Sequence, residues 1–345
     1  MFSLTGSQKP DGGTDVRSNS REASDRGARK HLAGDLDAAR AEYLAALEIN
    51  PQNAVAHNNL GFLLAQEGRL DEAASHYQRA LELDPGKSMA MANMGLLCVA
   101  KGDEEPAADW LRKAVAADPR NLLARDNLGR LLLKSNRLQE AEATARAGLE
   151  LFPHEGRLYL TLGLAVAGQQ RLSQAAEILR HAVQLEPDSA AAWEQLGVVL
   201  FLRHDLGSSC DALRHCLQLA PENVAARRQL STVLIARGDR DAAATELETI
   251  LVVEPGNVAA QLDLAVLALS ESQWSAALAR LEVVLLADPE NGRALFYRAV
   301  TLDQLGRQGE AATILDALAA EPEGSHAARA RNYLQERRER FIQIQ

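Results

Sequence analysis

Apolar residues recur along most of this chain at i, i+3, i+4 and i+7, the spacing of a helix with one buried face. The helical stretches come in pairs, and the pairs repeat. Pro51, Pro85, Pro119, Pro153, Pro187, Pro221, Pro255 and Pro289 are each 34 residues apart, and Pro322 arrives one residue early. If each unit is numbered 1 to 34 with the proline at 32, nine units span residues 20–325 (20–53, 54–87, 88–121, 122–155, 156–189, 190–223, 224–257, 258–291 and 292–325). Position 20 is Ala39, Ala73, Ala107, Ala141, Ala175, Ser209, Ala243, Ala277 and Ala311. Position 8 is glycine in the first six units, from Gly27 to Gly197, and position 7 is apolar from Leu60 to Leu264.

Each recurring residue has a mechanical reading. Glycine at position 15 (Gly34, Gly68, Gly102, Gly238 and Gly306) suits the left-handed conformation that ends the first helix of a pair. Asn136 tolerates it, whereas Gln170, His204 and Ser272 fit less comfortably. The proline stops the second helix. Asparagine two residues later, as at Asn53 or Asn121, can cap the next helix. Glycine at 8 and alanine at 20 let the paired helices approach closely. Position 27 drifts from small residues to Ile250, Val284 and Leu318 in the last three units, which predicts wider helix spacing there.

These features resemble the tetratricopeptide repeat family. The 34-residue period, the Leu-Gly pair at 7 and 8, Ala at 20, an aromatic residue or Leu at 24 and Pro at 32 carry the resemblance over about residues 20–325. It implies an all-α fold, a right-handed superhelical solenoid of nine helix-turn-helix repeats. It also implies a concave groove lined by the first helix of each unit. The ends depart from the pattern. Residues 1–19 lack apolar periodicity and read as a disordered tail, and residues 326–345 as a capping helix with Ala330, Tyr333, Leu334 and Phe341 on one side.

Composition narrows the function. A net charge of −10 over 345 residues argues against a general nucleic-acid binder. No run of 18 apolar residues suggests a membrane span, and no basic start followed by an apolar run suggests a secretory signal. Three scattered cysteines give no disulfide framework, so a cytoplasmic setting is expected. No phosphate loop or nucleophile elbow occurs. His204, Cys210, His215 and Cys216 cluster in unit six, but Cys210 and Cys216 do not share a helix face. No catalytic residue, metal or cofactor is expected.

Position 6 carries the candidate chemistry. Asn59, Asn93 and Asn127 occupy it in consecutive units, followed by Thr161, Gln195 and Gln229. Asparagine is a poor residue for a helix interior, and its amide both donates and accepts, as a peptide backbone requires. The arrangement resembles the asparagine ladder in the repeat domain of O-linked N-acetylglucosamine transferase, which implies backbone capture. A solvated polar face inherited by related units is the alternative. Hydrogen bonds alone are too weak, since each nets about 0.5–1.5 kcal/mol. Apolar neighbours including Phe62, Leu96 and Val198 would add contact. Arg130, Lys134 and Arg157 could read an acidic side chain or pair locally with Asp126. The cations of the family's clamp for chaperone C-termini are missing: Asn58 and Ala92 stand at position 5, Met89 and Leu123 at position 2.

The expected function is a non-enzymatic scaffold or adaptor binding an extended peptide in the groove, with self-association open. Two other roles remain: a structural subunit of a bacterial envelope, secretion or pilus-type machine, and a substrate-recruiting accessory module of a separate transferase.

Overall fold

The computed structural model describes residues 12–320 and 326–344, with side chains described for 15–320 and 326–336. Among the described residues there are nineteen helices and no strand. The chain divides into two compact units. The first, up to Glu186, holds α1 (Gly12–Leu32), α2 (Leu36–Ile49), α3 (Ala54–Gln66), α4 (Leu70–Leu83), α5 (Ser88–Lys101), α6 (Glu104–Ala117), α7 (Leu122–Lys134), α8 (Leu138–Leu149), α9 (Gly156–Gly168) and α10 (Leu172–Leu185). The second, from Pro187, holds α11 (Ala190–Leu202), α12 (Leu206–Leu219), α13 (Val224–Arg237), α14 (Arg240–Val253), α15 (Val258–Ser270), α16 (Trp274–Ala287), α17 (Gly292–Gln304), α18 (Gln308–Ala320) and α19 (Ala327–Ile344). Within each unit consecutive helices pack as hairpins, one on the next.

The expectation of a disordered tail through residue 19 is corrected in part. Residues 12–19 form the first turns of α1, which starts eight residues ahead of the repeat register with Asp15 in the favourable first turn. Residues 1–11 lie outside the described residues. At the other end Ala330 is buried, and Tyr333 and Leu334 pack on a cluster with Leu315, Leu318 and Phe296. The side chain of Phe341 lies outside the described residues.

The hairpin turn is the same in every unit. Position 15 is left-handed at all nine sites, with φ of 77° to 93° at the glycines and 55°, 64°, 62° and 60° at Asn136, Gln170, His204 and Ser272. A β-carbon in that region costs about 1–2 kcal/mol, offset in part by the greater freedom glycine has in the unfolded chain. Gln170→Gly and Ser272→Gly are therefore expected to raise stability by about 0.5–1 kcal/mol each, read as a shift in the denaturant midpoint. A drop in midpoint would mean that these side chains make stabilising contacts.

Two further devices join one hairpin to the next. At the start of five of the first helices, the Oδ1 of Asn53, Asn121, Asn223, Asn257 and Asn291 accepts from the backbone N–H three residues on, at 2.9 to 3.0 Å. The second device stands at position 4. In six units the side chain at position 4 reaches the carbonyl of the proline six residues upstream; Met91 and Leu295 at this position have no donor. Arg125 does so at 2.9 Å, Tyr159 at 3.2 Å, Trp193 at 2.9 Å and Arg227 at 2.8 Å. Gln261 reaches Pro255 at 3.5 Å, and His57 pairs with Pro51 at 3.1 Å. Chemically unrelated side chains share one function, holding the proline turn against the helix it precedes.

The core is small residues against large ones. A β-carbon on Gly61 would sit 2.8 Å from the Tyr77 ring, and one on Gly197 2.6 Å from Leu213. Tyr77, Leu213 and their equivalents Tyr43, Leu111, Leu179, Leu247, Leu281 and Leu315 are fully buried. Position 27 is also buried throughout, from Ala46 to Leu318.

His57 carries a second bond besides its proline clasp. Its Nδ1 lies 2.9 Å from Nδ1 of His76. Because Nε2 of His57 must carry the proton given to Pro51, Nδ1 of neutral His57 accepts and Nδ1–H of His76 donates. Burial is the first cause that pushes both imidazoles below their ordinary value. The unfolded chain protonates each near pH 6.5, the folded chain only lower. Stability is accordingly lost as pH falls from about 6.5 through the depressed folded values. Tyr159 at position 4 already clasps Pro153 in unit five, where Ile178 holds the register of His76, so His57→Tyr/His76→Ile copies a combination the fold accepts. Thermal melts between pH 7.5 and 5.5 should be flatter for this double variant. An unchanged slope would assign the acid sensitivity elsewhere.

Candidate functional site

The candidate residues lie on the first helices of the hairpins, and their geometry divides them. Asn93, on α5, is only 5 % exposed and its Nδ2 donates to Oδ1 of Asn58 on α3 at 2.9 Å. Asn58 in turn donates to Oδ1 of Asn59 at 3.2 Å. Asn127 donates to the Leu123 carbonyl of its own helix at 2.8 Å. The expected ladder of three free amides is thus corrected. Asn93 is consumed in holding α5 to α3, while Asn59 and Asn127 are half-buried, each with part of its amide unengaged.

The cause is a neighbour that a one-helix pattern does not reveal. The residue at position 6 lies beside position 5 of the preceding first helix, 35 residues upstream. Two more pairs at this spacing are hydrogen-bonded: Gln229 donates to Glu194 at 3.4 Å, and Arg228 donates to the Asp263 carboxylate at 3.2 Å. Position 5 ahead of Asn127 is Ala92, whose side chain cannot hydrogen-bond, and Asn127 folds back on its own helix. Gln229 is thus also a link between helices, α13 to α11, and its Oε1 is buried with no partner. Gln195 and Val198, on α11, are half-buried and belong to the second compact unit.

The three cations also separate. Lys134 pairs with Glu104 at 3.1 Å and Arg157 with Glu155 at 3.0 Å, so neither pairs with Asp126. Arg130 is exposed and forms no ion pair among the described residues. Burial raises the Asp126 carboxyl, against the pull of Arg130 and Arg157. Lys134 and Arg157 are thus already held by carboxylates of this chain.

What remains open to solvent is apolar and regular. Position 2 of three consecutive first helices carries Val55, Met89 and Leu123, which are 44 %, 45 % and 43 % exposed. Phe62 on α3 and Val99 on α5 are exposed as well, and Leu96 is half-buried. The Phe62 ring lies 5.4 Å from that of His31. Sequence reasoning placed position 2 among apolar candidates of mixed burial; its uniform exposure is a finding of the structure. Among the described residues no group of three histidines, cysteines or carboxylates could hold a metal ion. No described helix is long and apolar enough to cross a membrane.

A profile described as Tetratricopeptide repeat matches residues 127–190, 160–224, 228–272 and 267–328, more than half of the chain. The chain belongs to the tetratricopeptide repeat family. A second profile of that description matches residues 52–120, and one described as TPR repeat matches 27–68. Among curated proteins no sequence relative matches. Solved tetratricopeptide-type structures share the fold. PilF of Pseudomonas aeruginosa is 23 % identical, with a TM-score of 0.53 over 60 % of this chain and 95 % of that one. A tetratricopeptide repeat protein from Parabacteroides merdae is 18 % identical, with a TM-score of 0.54 over 67 % and 92 %. A chain of the APC/C hetero-tetramer Cut9–Hcn1 is 18 % identical, with a TM-score of 0.57 over 80 % and 55 %. Membership of the tetratricopeptide repeat family supports a protein-interaction scaffold.

Proposed function

We propose that this chain is a non-enzymatic scaffold that takes an extended, largely apolar peptide against the first helices of its N-terminal compact unit. The observation that carries this reading is the row Val55, Met89 and Leu123. An apolar side chain left in water at the same register of three successive helices gains by being covered. Phe62, Leu96 and Val99 widen the row, and the unengaged parts of the Asn59 and Asn127 amides stand ready for backbone. Two such bonds add only about 1–3 kcal/mol in all, so the apolar row supplies most of the affinity. Gln195 and Val198 would extend capture in the second unit.

Val55→Asp/Met89→Asp/Leu123→Asp changes only exposed positions and should leave melting nearly unchanged. Partners recovered from a lysate by the unaltered chain should be lost by the triple variant. Asn59→Ala/Asn127→Ala should weaken capture severalfold. Undiminished recovery by the triple variant would sink the reading.

A second reading rests on the other face. Val252, Val253 and Leu286, at the ends of the second helices α14 and α16, are 81 %, 67 % and 87 % exposed. This supports docking or assembly through the outer helices, as in a structural subunit of a larger machine. Val252→Asp/Leu286→Asp would then abolish a concentration-dependent mass in sedimentation, and the position 2 variant would not.

A further inference from the structure

We propose that the N-terminal compact unit holds a separate anion site, built to take a carboxylate of an acidic peptide side chain. A cleft of about 510 Å³ opens between α1, the α2–α3 turn and the α4–α5 turn. Arg17, Arg21, Ser24, Asp25, Val55 and Lys87 line it. Arg17 and Arg21 stand one helical turn apart on α1 and form no ion pair or hydrogen bond among the described residues. Elsewhere most arginines of this chain are paired, Arg137 with both Glu105 and Glu140 for example. The closest carboxylate oxygen to Lys87 Nζ, on Asp84, is 4.0 Å away.

A second observation comes from below these cations. Ser24 is 1 % exposed, and its hydroxyl has no hydrogen-bond partner. A buried hydroxyl left unmatched is costly, and this one borders the cleft. An oxygen seated between the guanidinium groups would accept from it. The amides at the start of α3 are not available for that service, because Asn53 Oδ1 already accepts from Val55 and Ala56.

Charge selects the ligand. Three cations face two carboxylates, Asp25 and Asp84, leaving an excess of one positive charge. That matches a singly charged carboxylate better than a doubly charged phosphate. Arginine pairs in the plane of a carboxylate by two parallel bonds. Val55 offers an apolar wall for the methylenes of glutamate.

The site can be probed without any apolar peptide, so its outcome is separate from that of the proposed groove. The full chain, labelled with ¹⁵N, is titrated with acetyl-triglutamate amide, with the triglutamine counterpart and with inorganic phosphate. Amide signals of Ser24 and of Ala54 to Ala56 report occupancy. The triglutamate should give saturable shifts, with at least tenfold weaker binding of the triglutamine. Arg17→Gln/Arg21→Gln, at exposed positions, should weaken the triglutamate at least tenfold with helical content unchanged, and Ser24→Ala should weaken it without lowering the melting temperature. Absence of saturable shifts, equal binding of the two peptides, or full affinity in the double variant would overturn the assignment. Phosphate binding tighter than triglutamate would also overturn it and mark a phosphate site instead.

Discussion

Replacing Tyr77 by alanine should destabilise its neighbourhood by about 3–5 kcal/mol, the range for emptying a buried aromatic site. Tyr77 is 1 % exposed and sits in a cluster with Ala39, Tyr43, Leu60, Leu63, Leu64, Ala73 and Leu97, drawn from α2, α3, α4 and α5. Gly61 opposite it is too small to fill the space. Burial also drives the Tyr77 phenol far above its ordinary range, as expected of a ring enclosed by apolar groups. In a stacked array each hairpin is stabilised by itself and its neighbours. The loss should therefore appear as local opening, with amides of α3 and α4 exchanging at least a hundredfold faster while those of α13 to α16 keep their rates. Uniform acceleration through the chain would contradict this partition of stability.

The second large effect sets one substitution against itself within one hairpin. Gly197→Ala places a β-carbon 2.6 Å from Cγ and 2.9 Å from Cδ2 of Leu213, and 3.4 Å from the Ser209 carbonyl. Leu213 is fully buried and cannot withdraw without moving its neighbours, and Ser209 Oγ already ties α12 to the Gly197 carbonyl at 2.7 Å. Overpacking of this kind costs about 1–3 kcal/mol. Gly207→Ala, ten residues on in the first turn of α12, meets nothing within 4 Å. There alanine gains helix propensity, up to about 1 kcal/mol. Denaturant midpoints should move in opposite directions. Movement in the same direction would mean that the close approach of α11 and α12 is not what makes Gly197 necessary.

Much of this architecture was legible because its causes are local. The turn at position 15 needs a left-handed residue, and the sequence shows one site in each unit where glycine or a substitute must stand. Gln170, His204 and Ser272 looked ill-suited, yet the hairpin imposes the same backbone on them. The fate of Asn93 was not legible from one helix. Three asparagines in register look equivalent until the helix before each is laid beside it, and only then does Asn58 meet Asn93 while Ala92 leaves Asn127 unmatched. The clue was a spacing of 35 rather than 34, between position 5 of one unit and position 6 of the next. The clasp at position 4 escaped notice for another reason. His57, Arg125, Tyr159, Trp193, Arg227 and Gln261 share no shape, size or charge, only a donor at a reachable distance from a carbonyl. Patterns that compare residue types miss such a position; patterns that compare hydrogen-bonding capacity would find it.

That clasp has a consequence for how such a chain can change length. Its two ends are six residues apart and straddle the boundary between units, so cutting out or copying 34 residues reproduces it intact, whatever donor happens to be carried along. The join is written into most boundaries, those before Met91 and Leu295 excepted, rather than into a particular pair of neighbours. Growth by whole copies then leaves no seam to be repaired afterwards.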